Sequence, residues 1–313
     1  MPTVPGGLFD DPTLSAGQSA LISQFLDLLT IRETELTVFN LRGQSSFTLD
    51  ADTNNVAIFN GADESVITSL EPSDGTSLIM GGAGQIVING NSGNDRVLGG
   101  PGADTINGGT GDNRLAGGDG ADSVVGLTGA DVLYGNSGAD TLSSNQGSDT
   151  LFGGSGNDVI LGQDDADVMF GNRDQDIIYG VNGADLLYGN QDDDVLYGGA
   201  DADTIFGGQG DDNIYGGMAN DVFFGNRGDD TFFILSGEGN DRVFGFQLGD
   251  DVVAIETNIN GLVVATEADL TGRISDDLDG NAVIDLDLGN QLTLVGFSTT
   301  DLLANLDIAV DIV

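Results

Sequence analysis

Residues 171–199 read GNRDQDIIYGVNGADLLYGNQDDDVLYGG, and two kinds of residue recur there at the same interval. Asp176, Asp185 and Asp194 stand nine residues apart, and an apolar residue stands two positions after each of them. A fixed interval of this kind is typical of proteins built from stacked structural repeats. The interval extends far beyond this stretch.

A nine-residue frame that counts Asn91 as position 1 runs without insertion to Ile234, which gives (234 − 90)/9 = 16 repeats. Position 5 is Asp in fifteen repeats, position 9 is Gly in fourteen and position 3 is Gly in eleven. A repeat with one inward apolar side chain cannot bury a core alone, whereas stacked copies can, so the frame predicts a solenoid. Position 7 supplies that side chain in all sixteen repeats: Val97, Ile106, Leu115, Val124, Leu133, Leu142, Leu151, Ile160, Met169, Ile178, Leu187, Leu196, Ile205, Ile214, Phe223 and Phe232.

The residue types also predict the local structure of each repeat. Glycine at positions 9, 1 and 3 allows a positive φ or a close approach of two backbones. Where position 1 is not Gly it is often Asn, which tolerates left-handed geometry best among the other residues. We predict a very short strand over positions 6 to 8, with position 7 pointing inward and positions 6 and 8 outward.

The composition excludes several classes of function. The chain has 313 residues, 51 of them acidic and 8 basic, and its formal net charge is −43. All the basic residues are Arg, which argues against binding to nucleic acid or directly to anionic membranes. Since there is no His and no Cys, a Ser-His-Asp triad, a zinc-protease motif and a thiol nucleophile are excluded. Carboxylate-pair catalysis remains formally possible, but we expect a protein that is not an enzyme.

The loop of each repeat offers one carboxylate and several main-chain carbonyls, with no nitrogen or sulfur ligand. Hard oxygen ligands on a flexible loop favour Ca²⁺ over Mg²⁺ or transition metals. Because the carboxylates accumulate where the loops stack, cations are required between them, and without cations the repulsion opposes compaction.

Three of the repeats, GGPGADTIN (99–107), GGSGNDVIL (153–161) and GGQGDDNIY (207–215), resemble the RTX, or haemolysin-type, calcium-binding nonapeptide GGxGxDxUx. The resemblance implies an all-β fold, a parallel β-roll or β-solenoid. In such a roll two nonapeptides make one coil, alternate strands form two parallel sheets, and Ca²⁺ lies between stacked Gly/Asp-rich loops at both edges.

The resemblance also implies the metal ligands. The backbone carbonyls would come from the position-3 glycines Gly93, Gly102, Gly111, Gly120, Gly129, Gly138, Gly147, Gly156, Gly183, Gly210 and Gly228. Asn113 replaces the motif Asp in one repeat and predicts weaker sites there. The carboxylates would come from Asp95, Asp104, Asp122, Asp131, Asp140, Asp149, Asp158, Asp167, Asp176, Asp185, Asp194, Asp203, Asp212, Asp221 and Asp230.

Stacking arithmetic predicts the number of ions. Sixteen loops form two edges of eight with seven gaps on each edge, so we expect about 14 Ca²⁺. These ions would change the net charge from −43 to about −15. Eight coils at about 4.8 Å per strand would make a roll about 38 Å long.

Four repeats depart from the family pattern, because position 3 is an acid at Asp165, Asp174, Asp192 and Asp201. One interpretation is a tolerated, solvent-facing acid, since position 3 contributes a carbonyl in this family. The other is that these carboxylates add negative charge to calcium sites in the middle of the roll.

The segments around the array predict four regions. Residues 1–34 contain a capping box at Ser15 and an apolar helical stripe, which we interpret as a helical cap or, alternatively, as an assembly or membrane-surface contact. Residues 35–90 contain four strand-like segments and predict a calcium-poor start of the β-solenoid. Residues 91–236 form the RTX roll. Residues 237–313 predict a C-terminal β cap with a hairpin over 280–297.

The end of the chain carries further similarities to exported RTX proteins. Asp241, Phe246, Gly249 and Asp251 resemble the sequence that follows RTX rolls, and the terminal VDIV resembles the uncleaved signal of type I secretion substrates. No N-terminal signal peptide and no transmembrane segment are visible. We therefore expect a secreted protein, located outside the cell or at its surface.

Two ladders of aromatic residues at outward position 8 repeat every eighteen residues. They stabilise their sheets by cross-strand contact in one interpretation, and form a docking surface for another subunit, a glycan or a tail of the same chain in the other. One ladder contains Tyr134, Phe152, Phe170, Tyr188, Phe206 and Phe224, and the other contains Tyr179, Tyr197, Tyr215 and Phe233.

Together these features predict a secreted calcium-binding structural protein. It would fold on Ca²⁺ binding and self-assemble into a surface layer, sheath or extracellular matrix fibre. The alternative is an adhesin that binds a cell-surface polysaccharide through the flat aromatic faces. Ice binding would require a regular outward Thr array, which the scattered threonines do not form.

Overall fold

The computed structural model describes five strands between residues 37 and 80, and residues 84–313 apart from 91, 238 and 288. The strands form two sheets, termed sheet A and sheet B. Within the described residues, sheet A has fifteen strands and sheet B has thirteen.

Sheet A consists of β1 (Thr37–Asn40), β3 (Asn55–Ile58), β5 (Ser77–Met80), β7 (Arg96–Pro101), β9 (Arg114–Asp119), β11 (Val132–Ser137), β13 (Thr150–Ser155), β15 (Val168–Arg173), β17 (Leu186–Gln191), β19 (Thr204–Gln209), β21 (Val222–Arg227), β23 (Asn240–Phe244), β25 (Ile274–Asp276), β26 (Ala282–Asp285) and β27 (Gln291–Val295). Sheet B consists of β2 (Ser46–Leu49), β4 (Ser65–Leu70), β6 (Ile86–Asn89), β8 (Thr105–Thr110), β10 (Ser123–Thr128), β12 (Thr141–Gln146), β14 (Val159–Asp164), β16 (Ile177–Asn182), β18 (Val195–Ala200), β20 (Asn213–Gly217), β22 (Thr231–Ile234), β24 (Val252–Ile255) and β28 (Val310–Ile312).

From β1 to β24 the chain winds as a parallel β-roll, with successive strands alternating between the two sheets. Sheet A then continues from β23 in the order β27, β26 and β25, and sheet B continues from β24 to β28. Within the array each residue pairs with the residue eighteen positions later, as Leu133 does with Leu151 and Tyr134 with Phe152. Eighteen residues are two nonapeptides, so two repeats make one coil. The predicted all-β fold with two parallel sheets is confirmed.

The strands are longer than the sequence predicted. Most of them cover six residues, from position 6 to position 2 of the next repeat, as Val132–Ser137 does. Position 1 is left-handed, with φ 77° at Asn136 and 122° at Gly154, yet these two residues still pair. Pairing continues because every coil bends at the same position. The prediction of strands limited to positions 6 to 8 was therefore too short.

The core is a double row of the position-7 side chains. All sixteen are buried, and the exposed fraction of each is 0 or 1%. The two rows meet between the sheets, where the ring centroids of Phe223 and Phe232 are 6.2 Å apart. Full burial of each such side chain contributes about 1.5–3 kcal/mol, so the repeated core is the main apolar stabilisation of the roll.

The region before the array contains strands β1 to β6, which continue both sheets in parallel. Strands occur in each of the four segments of residues 35–90 that the sequence indicated. The helical cap predicted for residues 1–34 lies outside the described residues. The boundaries between the four predicted regions remain predictions.

The C-terminal region closes one end of the roll. Strands β26 and β27 form the antiparallel hairpin expected over 280–297, and β27 pairs with β23. The sequence did not predict the two short helices that follow, α1 (Thr299–Ala304) and α2 (Leu306–Ala309), or the 3₁₀ turns Ile259–Gly261 and Glu267–Leu270. The terminal segment forms β28, which pairs with β24 as the last strand of sheet B.

Candidate metal centre

The position-5 residues form two rows, one along each edge of the roll. In both rows the backbone N–H of one residue donates to Oδ1 of the residue eighteen positions later; Asp104 donates to Asp122 at 2.7 Å. These side chains are at most 3% exposed. The first row contains Asp104, Asp122, Asp140, Asp158, Asp176, Asp194, Asp212 and Asp230. The second contains Asp95, Asn113, Asp131, Asp149, Asp167, Asp185, Asp203 and Asp221.

Both rows continue beyond the array into the exit sequence. The backbone N–H of Asp221 donates to Oδ1 of Asp241 at 3.0 Å, and that of Asp230 donates to Oδ1 of Asp251 at 3.2 Å. Sequence reasoning assigned these two acids to the exit but not to the rows, because the intervals are 20 and 21 residues. The apolar residue two positions after each acid, as in the repeats, was the available signal.

The second carboxylate oxygen of the row residues is buried without a hydrogen-bond donor. Within the described residues this holds for Oδ2 of fourteen aspartates, from Asp104 to Asp230. Burial, with a smaller effect of neighbouring carboxylates, raises the pKa of Asp194, Asp203 and Asp212 to about 8. Burial also raises the pKa of Asp131 and Asp176 to about 7. Since an unpaired buried charge is costly, each carboxylate requires a proton or a cation.

The side chain of Asn113 shows which group faces Oδ2 of the aspartates in the other loops. Its Oδ1 accepts from the backbone N–H of Asp95 at 2.9 Å, as an aspartate would, and its Nδ2 donates to the carbonyl oxygen of Gly111 at 2.9 Å. An aspartate has an oxygen where Asn113 has this donor. The same geometry in the other loops therefore directs a carboxylate oxygen towards the position-3 carbonyl, and two facing oxygens favour a cation between them.

The position-9 glycines supply a further oxygen. A Cβ at Gly189 would collide with Oδ2 of Asp194 and with the carbonyl oxygen of Gly207 in the next coil. Gly189 does not have a positive φ, unlike the described residues at positions 1 and 3, so glycine is required here for space. The sequence predicted either a positive φ or a close approach at position 9, and it did not single out the position-9 carbonyl as a ligand.

The donor set consists of oxygen atoms only. Each loop except that of Asn113 places one carboxylate oxygen beside main-chain carbonyls, and in the described part of the chain no group of three or more His, Cys, Asp or Glu side chains is placed to hold one metal ion. Such a set fits Ca²⁺, which accepts carbonyl and carboxylate oxygens in irregular geometry. The residues that would hold it are the position-5 aspartates with the carbonyls of positions 3 and 9. Bound Ca²⁺ would neutralise the buried carboxylates.

The four acids at position 3 are exposed, and three of them, Asp165, Asp174 and Asp192, accept a backbone N–H of a neighbouring loop. Oδ2 of Asp174 accepts from the backbone N–H of Gly156 at 2.9 Å, and Oδ2 of Asp192 accepts from that of Asp174 at 3.1 Å. In other loops a position-2 carbonyl accepts this bond instead: that of Ser155 accepts from Gly138 at 2.8 Å and, beside Asp201, that of Ala200 accepts from Gly183 at 3.2 Å. These acids also contribute to the raised pKa of Asp176. They are solvent-facing but act electrostatically on the buried row.

Comparison with known families agrees with this geometry. The family model described as RTX calcium-binding nonapeptide repeat (4 copies) matches overlapping segments that together cover residues 73–232, or 232 − 72 = 160 of the 313 residues. The chain belongs to the RTX calcium-binding nonapeptide repeat family. The matched segments of this RTX protein extend ahead of the frame that begins at Asn91, into strands β5 and β6.

Other comparisons add little about the RTX protein. No curated protein matches it. Among solved structures, the crystal structure of extracellular lipase LipA from Serratia marcescens matches with 17% identity and a TM-score of 0.23, covering 76% of this chain and 43% of the lipase. The RTX chain thus spans less than half the length of that structure, and at this TM-score no activity transfers from it. In the described part of the chain no helix is long and apolar enough to cross a bilayer.

Proposed function

We propose that this protein is a secreted calcium-binding structural protein that folds on Ca²⁺ binding and self-assembles into a surface layer, sheath or extracellular matrix fibre. The observation that carries the proposal is the pair of buried carboxylate rows. Fourteen Oδ2 atoms lie without a donor in the described part of the roll. A fold with this many buried acids is complete only when cations, or protons at low pH, neutralise them.

This arrangement supports folding on export. Proteins with RTX repeats are generally secreted by type I systems. At low cytosolic Ca²⁺ the charge of −43 keeps the chain extended and suitable for threading. Extracellular modules bind Ca²⁺ at about 10⁻⁴–10⁻³ M, and there the binding free energy becomes folding free energy. Binding of about 14 ions, one for each gap between stacked loops, is part of the proposal.

Self-assembly is supported by the exposed faces of the roll. The sheets present rows of apolar and aromatic side chains, and Ile177 and Val181 of sheet B are exposed, as is Met218 just after β20. Contiguous exposed apolar surface often marks an interface. Since every coil has the same structure, the surface repeats along the whole roll and suits a fibre or layer.

The polysaccharide alternative is less favoured by the aromatic geometry. Phe170 lies between Phe152 and Tyr188, with ring centroids 4.9 and 4.8 Å away and nearly parallel planes. Both faces of such a ring are covered by its neighbours, so they are not available to stack against sugar rings. The stacking matches the cross-strand interpretation of the ladders.

Negative-stain electron microscopy with and without Ca²⁺ tests the assembly. We expect fibres or layers at millimolar Ca²⁺ and dispersed, unfolded chains in excess chelator. Persistent monodisperse monomers at millimolar Ca²⁺ would contradict assembly. Binding of those monomers to a neutral glycan array would favour the adhesin.

A further inference from the structure

The arginines of the roll lie on one of its two sheets. Among the described strands from β6 to β24, sheet B contains none and sheet A contains five, all on outward positions. The outward acid on the same strands of sheet A is Asp119, and no other occurs in their described part. A chain of net charge −43 thus presents a positively charged face between two acidic edges. The five are Arg96, Arg114, Arg173, Arg227 and Arg242.

These arginines form no ion pair with the described residues of their own chain. The described ion pair is Arg273–Asp287, in the C-terminal region. Arg96 and Arg114 lie directly opposite each other on neighbouring strands, an arrangement that destabilises strand pairing. Burial and the charge of Arg114 lower the pKa of Arg96. The face therefore keeps positive charge that the roll itself does not neutralise.

Two of the five arginines cover the ends of the aromatic stack. The guanidinium of Arg114 lies 4.9 Å from the ring centroid of Tyr134 and donates to its hydroxyl at 2.7 Å. The guanidinium of Arg242 lies 5.0 Å from the ring centroid of Phe244, which continues the stack beyond Phe224. Neither end of the stack is therefore open, and the cationic groups left for a partner include Arg173 and Arg227.

Arg173 and Arg227 line two depressions beside the aromatic stack. Arg173 lines a depression of about 610 Å³ with Phe152 and Asn172. Arg227 lines one of about 420 Å³ with Phe206 and Asn226. A guanidinium beside an aromatic wall binds a carboxylate through two parallel hydrogen bonds, and the wall excludes water from the pair.

We infer that this face of sheet A docks the acidic loop edge of a second copy of the chain. The edge in question is the one whose inner row runs from Asp104 to Asp230. Its exposed outer acids follow each other coil by coil and are held in place: Asp193 accepts from the backbone N–H of Asp211 at 2.9 Å, and Asp211 from that of Asp229 at 2.8 Å. The outer acids are Asp174, Asp192, Asp193, Asp211 and Asp229.

The spacing of the arginines on the face of sheet A and of the outer acids on the loop edge favours a second copy over another polyanion. Arg173 and Arg227 are three strand steps apart on sheet A, and Asp174 and Asp229 are three loop steps apart on the edge. Each step is one coil of the roll, so three steps span about 14 Å both between the two arginines and between the two acids. Two copies of one roll are therefore in register without adjustment, whereas an unrelated polymer has no reason to share the repeat.

The contact joins different surfaces of the two copies, a face of one and an edge of the other. Such a heterologous contact propagates as an open fibre or layer instead of closing as a dimer. The inference rests on the proposed self-assembly, and it specifies which two surfaces join and that the contact can propagate from copy to copy.

Sedimentation velocity at millimolar Ca²⁺ tests the inference with three variants. Arg173→Gln/Arg227→Gln removes the face charges, Asp193→Asn/Asp211→Asn/Asp229→Asn removes the edge charges, and Arg273→Gln is a control that removes a positive charge elsewhere. The first two are expected to raise the concentration of half-assembly about 10-fold or more, while Arg273→Gln leaves it unchanged. Circular dichroism with Ca²⁺ checks that each variant folds.

Mixing the two charge variants distinguishes the surfaces. Each retains one half of the contact, so a mixture is expected to form heterodimers that do not extend. Assembly of Arg173→Gln/Arg227→Gln at the wild-type concentration would overturn the docking face and leave the proposed function intact. Wild type that stays monomeric would overturn both, and monomers that bind dextran sulfate through Arg173 and Arg227 would show a polyanion as the occupant.

Discussion

The backbone N–H of Asp176 donates to Oδ1 of Asp194 at 2.8 Å, while Oδ2 of Asp194 is buried with no donor among the described residues. One carboxylate thus has two roles. Its first oxygen joins neighbouring coils, and its second creates the requirement for a cation. The two roles are separable by mutation.

Asp185→Asn is expected to keep the coil contact and remove the metal requirement of its loop. The amide retains an acceptor for the backbone N–H of Asp167, now 2.8 Å from Oδ1, and gains a donor as at Asn113. Asp185→Ala instead leaves that buried N–H unsatisfied, at about 1–3 kcal/mol. Calcium titration calorimetry and urea unfolding should show fewer bound ions in both variants and a large loss of stability only in Asp185→Ala.

The reverse change, Asn113→Asp, tests the same idea. It should tighten Ca²⁺ binding at the weaker sites of that loop and make the metal-free chain less stable, because the new Oδ2 lacks the donor that Asn113 provides. Unchanged calcium binding in both Asn113→Asp and Asp185→Asn would contradict the assignment of position 5 to the metal sites.

Gly189→Ala is expected to destabilise the calcium-loaded roll by about 1–3 kcal/mol. The added methyl group would occupy the space beside Oδ2 of Asp194 and the carbonyl oxygen of Gly207. The matched control is Gly272→Ala, whose Cβ would meet no atom within 4 Å. Thermal unfolding of both variants in Ca²⁺ provides the measurement, and equal stability would show that position 9 is not a space-limited oxygen site.

The metal-free chain should gain β structure on acidification. The pKa of Asp176 in the roll is raised to about 7 and that of Asp212 to about 8, chiefly by burial, from an ordinary value of 3.8. The folded state therefore binds more protons than the unfolded chain, and its stability is highest below the unfolded value and falls as pH rises through about 6–8. Circular dichroism of calcium-stripped protein should show β signal appearing between about pH 8 and pH 4.

Charge screening needs a separate control in that experiment. High salt at pH 8 reduces general repulsion but does not protonate the buried rows. Salt alone is thus expected to restore little β signal. Loss of structure on acidification would contradict the effect of burial on these carboxylates.

Phe170→Leu should cost about 1–3 kcal/mol, because Phe170 has a stacked ring on each side. Phe244→Leu should cost less, since Phe244 has one stacked ring, Phe224, at 5.0 Å. Neither variant should change the number of bound ions, because the stack lies on the outer face. Calorimetry of Ca²⁺ binding, combined with thermal unfolding, checks this, and equal losses in both variants would argue against a stabilising stack.

The sequence predicted the fold well because its frame is uninterrupted. Every position-7 residue, from Val97 to Phe232, lies in the buried core as expected. The eighteen-residue aromatic interval likewise predicted rows that the structure shows stacked. Strand length was missed because left-handed residues such as Asn136 usually end a strand, and only the identical bend in the next coil keeps them paired.

The site was predicted in outline and not in detail. The nine-residue frame shows that each loop carries one Asp, or in one repeat Asn, at position 5. It does not show that Oδ1 accepts a hydrogen bond from the neighbouring coil while Oδ2 is left without a donor, because this depends on the distance between coils. Asp241 and Asp251 were not placed in the rows because the intervening loops are longer by two and three residues. The segregation of arginines onto sheet A became visible only when strands were assigned to sheets.

The central claim is that cations complete this fold, and calcium titration followed by circular dichroism tests it most directly. We predict little β signal in excess chelator at neutral pH, a cooperative gain of β structure at about 10⁻⁴–10⁻³ M Ca²⁺, and parallel binding of about 14 ions by calorimetry. Complete β signal in excess chelator at neutral pH, unchanged by added Ca²⁺, would contradict the account.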